Sequence, residues 1–224
     1  MTDIADAECS PGSVDDLPYR CRVKICGFRS AEQAAYAARA GADAIGLVFY
    51  EPSPRNINDL GLAREIAQSV GPFVEVVALV VNPDAAVLER ILTEVPINAI
   101  QFHGEEAPRF CQQFHRPYLK ALRMKPSLNL ADAVAPYAFA RGILLDSYVP
   151  GVPGGTGATF NWERIPSGMP NLVLAGGLTE DNVTDAVAQV RPYAVDVSGG
   201  VESSPGEKSF TKMAAFIRAA KQEL

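Results

Sequence analysis

Residues 76–83 of the chain read VVALVVNP, and this stretch decides the fold class. Six consecutive apolar residues, four of them Val, are typical of a strand that is buried on both faces of a parallel sheet. Asn82 and Pro83 then have the chemistry of a helix start, an N-cap followed by a proline in the first turn. The stretch is a strand that leads directly into a helix, and parallel strands need such a crossover helix.

The same unit recurs along the chain. Seven further apolar runs predict strands at residues 23–26, 44–49, 99–102, 118–122, 142–146, 171–175 and 194–197. Helical patterns separate them, with predicted helices around residues 30–41, 62–70, 105–114, 128–135, 183–190 and 210–217, besides the one that follows Pro83. Ser30 with Gln33 predicts a capping box at the start of the first helix, and Gly41 suits its left-handed C-cap.

Eight strands that alternate with helices predict an α/β protein with a parallel sheet. The count of eight predicts closure into a (β/α)₈ TIM barrel that forms a single compact domain. An open, doubly wound sheet is the alternative. Residues 21–224 are assigned to the barrel, and residues 1–20, rich in Asp, Glu, Ser, Pro and Gly, to a flexible acidic N-terminal extension.

Composition narrows the function classes. The 224 residues are 48% hydrophobic and 21% charged, which argues against a disordered chain. A net charge of −6 without a basic cluster argues against a nucleic-acid partner. No apolar run approaches the roughly 18 residues that span a bilayer, so we expect no membrane partner and a cytoplasmic location. Four Cys and two His show no ligand spacing, so no metal site is expected.

The active site of a TIM barrel lies at the carboxyl ends of its strands. Cys26 ends the first strand and Asp146 ends the sixth, and in the barrel order their strands are three steps apart, which places them across the mouth from each other. A base on one wall and an acid on the other could bracket a sugar, and Lys24, on the same face as Cys26, could supply positive charge. The alternatives are a small buried thiol for Cys26 and a loop-bracing carboxylate for Asp146.

Two glycine pairs follow the seventh and eighth strands. Phosphate sites of TIM barrels commonly lie on these two loops, where backbone N–H groups can approach an anion closely. We therefore expect a phosphate at Gly176, Gly177, Ser198, Gly199 and Gly200, with tight turns as the alternative.

Three more side chains follow strand ends. Arg55, after the second strand, could bind a carboxylate through its guanidinium fork, and a solvated loop charge is the alternative. Gln101 and His103 end the fourth strand.

Seven short motifs together resemble the phosphoribosylanthranilate isomerases of tryptophan biosynthesis, over roughly residues 23–221. They are residues 23–27 (VKICG), 53–55 (SPR), 101–104 (QFHG), 144–147 (LLDS), 153–157 (PGGTG), 174–178 (LAGGL) and 196–202 (DVSGGVE). This family commonly has Ser-Ser-Gly where the chain has Ser198, Gly199 and Gly200, a change that keeps the backbone donors.

The resemblance implies an aldose–ketose Amadori rearrangement of N-(5-phospho-β-D-ribosyl)anthranilate, without a cofactor or metal. Cys26 would be the general base and Asp146 the general acid. Arg55, Gln101 and His103 would bind substrate, Arg55 at the anthranilate carboxylate, and the two glycine loops would bind the phosphate.

Two other functions stay open. One is another phosphosugar enzyme on a related barrel, similar to indole-glycerol-phosphate synthase or to an epimerase, although the catalytic Lys and Glu of the former and the metal-binding histidines of the latter are not visible. The other is a non-catalytic, phosphate-binding barrel. The only expected partner is a small phosphosugar, and the sequence does not fix the oligomeric state, with a monomer slightly favoured.

Overall fold

The computed structural model describes residues 19–147 and 159–222. Eight parallel strands, each hydrogen-bonded to the next, close into a barrel in the order β1 to β8, which confirms the predicted (β/α)₈ fold. The barrel strands are β1 (Arg22–Cys26), β2 (Ala44–Phe49), β3 (Glu75–Val80), β4 (Ala99–Phe102), β5 (Tyr118–Arg123), β6 (Gly142–Asp146), β7 (Leu172–Leu174) and β8 (Ala194–Val197). The helices are α1 (Ala31–Ala40), α2 (Leu60–Ser69), α3 (Ala85–Glu94), α4 (Pro108–Gln112), α5 (Leu130–Val134), α6 (Val183–Val190) and α7 (Phe210–Ala220).

Alternation along the strands divides the barrel into an outer and an inner core. Outward residues such as Ile25, Ile45 and Val195 are fully buried against the helices. Small apolar residues fill part of the interior, in a cluster of Ala121, Leu144, Val173, Ala175 and Ala194. The interior also holds polar side chains, so the same strands supply both core residues and polar residues of a candidate functional site.

The helix starts differ from the sequence prediction in three places. Ser30 caps α1 by accepting from Gln33 N at 3.4 Å, but the Gln33 side chain hydrogen-bonds Lys208, so the reciprocal half of the capping box is wrong. Helix α3 is capped by Asp84 and not by Asn82, which has a φ of 45° and accepts from Glu105 N. In both places a side chain has a tertiary partner that outweighs the local capping rule.

The third difference is α4, which begins at Pro108 and not near Glu105. Glu106 is buried in an ion pair with Lys120, whose Nζ lies 2.7 Å from the carboxylate. The Glu106 carboxylate also accepts from Asn82 N and Gly104 N. This carboxylate thus joins the loops after β3 and β4, where the sequence predicted the first turn of a helix.

Beyond β8 the chain adds an element that the sequence did not predict. A 3-10 turn (Gly199–Val201) leads into a short antiparallel hairpin of β9 (Glu202–Ser204) and β10 (Glu207–Lys208) before α7 begins. Gln33 accepts from Lys208 N and donates to Lys208 O, which ties the hairpin to α1. The hairpin brings Glu202 and Lys208 back to the mouth of the barrel.

Most of the predicted N-terminal extension, residues 1–18, lies outside the described residues. Its last two residues contact the barrel: the Tyr19 hydroxyl donates to Pro192 O at 2.6 Å, and Arg20 forms an ion pair with Asp43. No helix within residues 19–147 and 159–222 is long and apolar enough to cross a membrane.

Candidate active site

A cavity of about 690 Å³ opens at the carboxyl ends of the strands. It is lined by all ten residues that the sequence analysis selected, namely Cys26, Arg55, Gln101, His103, Asp146, Gly176, Gly177, Ser198, Gly199 and Gly200. These residues come from the ends of six different strands or from the loops that follow them. Their convergence follows directly from closure of the parallel sheet, because every strand end then faces the same mouth.

Cys26 lies at the end of β1 with its thiol buried against β2. It pairs in register with Gly46, and a Cβ at Gly46 would lie 2.5 Å from the Cys26 sulfur and 3.0 Å from its Cα. Gly46 has no unusual backbone angle, so its glycine is explained by space and not by conformation. The bare backbone of Gly46 is what lets the sulfur occupy this place.

Three charged groups surround the Cys26 sulfur. Burial raises the pKa of its thiol, the cations Lys24 and Lys208 act to lower that pKa, and the Asp196 carboxylate acts to raise it. Lys24 Nζ lies 2.8 Å from Asp196 Oδ1, with both side chains almost fully buried. The thiolate of Cys26 would therefore form in a pocket that already contains positive charge.

Asp146, at the end of β6, is held at both carboxylate oxygens. Oδ1 accepts from Ser147 N at 2.8 Å, and Oδ2 lies 3.2 Å from His103 Nε2. Gln101 Nε2 lies 2.9 Å from His103 Nδ1. A neutral His103 that donates from Nε2 to the Asp146 carboxylate accepts at Nδ1, where the Gln101 amide supplies the donor. Gln101 and His103 thus form a chain that fixes the orientation of the Asp146 carboxylate.

The glycine loops after β7 and β8 touch each other. Gly176 and Gly177 have φ values of 87° and 66°, in the left-handed region that favours glycine. A Cβ at Gly200 would overlap the carbonyl oxygen of Leu178, so this position requires glycine to let the two loops meet. Asn182 Nδ2 donates to Gly177 O and fixes the first loop from behind. Backbone from both loops therefore converges on one side of the cavity.

Arg55 is engaged by a carboxylate that the sequence analysis had not paired with it. Its Nε and Nη2 each lie 2.7 Å from one oxygen of Glu202, a bidentate contact. Lys208 Nζ lies 2.8 Å from the same carboxylate, and although burial opposes it, hydrogen bonds from Arg55 and Lys208 hold the pKa of Glu202 below its usual value. Arg55 Nη1 donates to no acceptor among the described residues, so one edge of the guanidinium remains for a ligand.

Sequence reasoning missed Asp196, Glu202 and Lys208 as parts of the site. In the sequence, Asp196 and Glu202 belong to the motif at residues 196–202, but no role was assigned to them. Lys208 lies in a stretch without a strand-like or helix-like hydrophobic pattern. A useful signal was present at Asp196: a carboxylate inside an apolar strand is costly unless it has a partner. The motif at residues 153–157 lies outside the described residues.

Comparison with known proteins identifies the family. The family model for N-(5'-phosphoribosyl)anthranilate (PRA) isomerase matches residues 23–219. The chain belongs to this family. The Pseudomonas paraeruginosa N-(5'-phosphoribosyl)anthranilate isomerase is 56% identical over 201 residues, covering 89% of this chain and 95% of the relative. The isomerase of Pseudomonas putida KT2440 is 55% identical, covering 90% of this chain and 98% of the relative.

Solved structures of phosphoribosylanthranilate isomerases have the same fold. The Thermotoga maritima structure superposes with a TM-score of 0.79 at 37% identity, covering 89% of this chain and 98% of that one. A phosphoribosylanthranilate isomerase in complex with reduced 1-(o-carboxyphenylamino)-1-deoxyribulose 5-phosphate gives a TM-score of 0.76 at 35% identity, with the same coverage. Family membership and fold together show an isomerase on a TIM barrel.

The contact between Gly46 and Cys26 yields a prediction. If Cys26 reacts with substrate, as the resemblance implies, Gly46→Ala should push the sulfur from its place and lower kcat/KM by about 10²-fold, because a displacement of about 1 Å at a reacting group costs that much. Steady-state kinetics measures the loss, and a thermal melt shows whether the variant is folded. Gly61→Ala, on helix α2 away from the cavity, is the control. Full activity of folded Gly46→Ala would contradict the assigned position of the thiol.

Proposed function

We propose that the chain converts N-(5-phospho-β-D-ribosyl)anthranilate into 1-(2-carboxyphenylamino)-1-deoxy-D-ribulose 5-phosphate, with Cys26 as general base and Asp146 as general acid. The observation that carries this assignment is the placement of a thiol and a fixed carboxylate on opposite walls of one cavity. Acid–base chemistry at two neighbouring carbons of a sugar needs this arrangement, because the proton donor and the proton acceptor act at different atoms.

Asp146 opens the sugar ring. Its protonated carboxyl gives a proton to the ring oxygen while the bond between that oxygen and C1′ breaks, and the anilino nitrogen lone pair forms the Schiff base. His103 Nε2 and Ser147 N hold the carboxylate in place for this transfer. We therefore assign to His103 and Gln101 a role in substrate binding that includes positioning of Asp146.

Cys26 completes the rearrangement. Its thiolate removes the C2′ proton, the electrons of that C–H bond neutralise the Schiff base, and the resulting enolamine tautomerises to the ketose. Burial raises the pKa of the thiol and so lowers the thiolate fraction near neutrality, an effect that the cations Lys24 and Lys208 oppose. Atoms balance without an oxidant or cofactor, since one proton is given and one is taken.

The two ends of the substrate are held on different walls. The glycine loops at Gly176–Gly177 and Ser198–Gly200 supply backbone donors for the phosphate, as they do in this fold class generally. Arg55 offers its remaining edge to the anthranilate carboxylate while Glu202 fixes the other edge. Glu202 thus orients the guanidinium in advance, which reduces the entropy lost on binding.

The proposed function also sets what we expect for the partners and the cellular location of the chain. The substrate is a small phosphosugar, and the expectations of a cytoplasmic location and of no cofactor, metal, nucleic-acid or membrane partner stay predictions. No observation in the described residues favours the synthase-like, epimerase-like or non-catalytic alternatives over the isomerase.

Loss of either proposed acid–base group should greatly slow turnover without unfolding the protein. Cys26→Ala and Asp146→Asn should each lower kcat by about 10²–10⁴-fold. The measurement is fluorescence-monitored consumption of substrate, with the melting temperature as the check on folding. Cys21→Ala, which removes a buried thiol outside the cavity, is the matched control. A kcat near that of the unaltered protein in either variant would remove the role assigned to that residue.

Arg55 should contribute to binding affinity by contacting the carboxylate of the substrate. Arg55→Ala should weaken binding of the reduced product analogue by about 10–10²-fold, the usual effect of losing a hydrogen bond to a charged group. An analogue with phenyl in place of carboxyphenyl should bind the unaltered protein and Arg55→Ala about equally. Equal losses for both analogues, measured by calorimetry, would place Arg55 away from the carboxylate.

That the protein is a monomer stays a prediction. One structure of the Thermotoga maritima enzyme is described as a monomeric form of a dimeric phosphoribosylanthranilate isomerase, at 35% identity and a TM-score of 0.76. In this chain Phe73 is 97% exposed beside a second cavity at the opposite end of the barrel. Light scattering should return the mass of one chain. Twice that mass would contradict the prediction, and a return to the mass of one chain in Phe73→Ser would place Phe73 in the interface.

A further inference from the structure

Lys24 and Asp196 form a buried ion pair inside the barrel, directly beneath Cys26. Side chains alternate along a strand, so Lys24 and Cys26, two residues apart on β1, point the same way into the interior. Lys24 pairs in register with Asp196 across the β1–β8 junction, and their side chains are only 5% and 8% exposed. The pair therefore lies in the interior layer next to the thiol.

Stability does not explain this pair. A buried ion pair loses so much hydration that apolar residues of similar size often serve the fold equally well. Part of the barrel interior is apolar, with Ala121, Leu144 and Ala175 in one cluster. Charges retained in such a place need another reason.

The donors of Lys24 point to that reason. Its ammonium group has three N–H donors, and Asp196 Oδ1 is the single oxygen that accepts from it within the described residues. Asp196 and Cys26 both act to raise the pKa of Lys24, against the effect of burial, which keeps this side chain cationic. The sulfur and the carboxylate thus share one cation.

Other charged groups near the thiol lie on other elements of the fold, and their electrostatic effect on it is weaker. Lys208 reaches the region from the hairpin, where its Nζ contacts Ser198 O, Ser198 Oγ and Glu202. His103 and Asp146 act on Asp196 from β4 and β6. Lys208 is already held by Glu202. Lys24 instead faces two anionic partners, the Asp196 carboxylate and the Cys26 thiolate, and a single substitution can change how strongly it interacts with each.

We propose that Lys24 is a positioning residue that supplies the counter-charge of the Cys26 thiolate, and that Asp196 restrains this effect by competing for the same ammonium group. The inference rests on the proposed role of Cys26 as the base. It requires the two members of one ion pair to act on the thiol in opposite directions. A purely structural pair would not do so, because loss of either member would loosen the same packing.

The test is the pH dependence of Cys26 alkylation by iodoacetamide in the full-length protein. The rate for the Cys26 peptide, followed by mass spectrometry, should have its midpoint raised by about one pH unit in Lys24→Met and lowered by about one unit in Asp196→Asn. Lys24→Arg, which keeps the charge, should stay within a few tenths of the unaltered protein. Cys21 and Cys111, both buried and outside the cavity lining, serve as internal controls.

Midpoints that move in the same direction in both variants, or that do not move, would overturn the proposal. Lys24→Met leaves a carboxylate without its partner and can fail to fold. The comparison is then made in the Asp196→Asn background, where adding Lys24→Met should raise the midpoint, and an equal or lower midpoint overturns the proposal. Alkylation needs no turnover, so this result is separate from the activity of Cys26→Ala, which tests the proposed function.

Discussion

The hydrogen-bonded pairing of β1 with β8 is the constraint on which the rest of the structure depends. It joins segments about 170 residues apart in the chain and closes the barrel, with Lys24 opposite Asp196 and Ile25 opposite Val197. Closure brings every strand end to one mouth, which no open sheet of the same strands would do. It also places the end of β1 beside the loop after β8, where the Ser198 hydroxyl donates to Cys26 O. The proposed base and the proposed phosphate loop are thus neighbours across this junction.

Charge is distributed around this junction in two linked sets. Lys24 and Asp196 lie below the thiol, while Arg55, Glu202 and Lys208 lie on the wall beside it. In each set an acidic group is held by at least one cation, so the charges are buried with partners and few are free to rearrange. Fixed charges of this kind favour developing charge without waiting for solvent to reorient, which is how most enzymes lower their barriers. The arrangement suits a reaction that moves two protons and no other group.

The fold was predictable from the sequence because its strands are continuous apolar runs. Strands β2, β6 and β8 have the predicted bounds, since burial on both faces leaves no competing pattern. Helix starts were less predictable: Gln33 and Asn82 satisfy distant backbone groups instead of their own helices. Such contacts depend on tertiary structure, and a local rule cannot anticipate them.

The candidate site also contains residues that the sequence could predict and residues that it could not. Residues at strand ends could be selected because the fold class states where chemistry occurs, and all ten line one cavity. Glu202 and Lys208 could not, because the hairpin that carries them is short and polar, and the residues that they contact, Arg55 and Gln33, are far away in sequence. The space that Gly46 leaves for Cys26 was equally hidden, since a glycine within a strand has no local signature of what it makes room for.

The central claim is that Cys26 and Asp146 act on one sugar from opposite walls. The most direct test is a crystal structure of this protein with the reduced 1-(o-carboxyphenylamino)-1-deoxyribulose 5-phosphate that was bound to a relative. The account predicts the Cys26 sulfur within about 3–4 Å of C2′ on one face of the ligand, close to the distance of a reacting pair. It places the Asp146 carboxylate beside the hydroxyl derived from the ring oxygen and the phosphate on the glycine loops. A ligand whose C2′ lies away from the sulfur, with the thiol packed against Gly46 and out of reach, would contradict it.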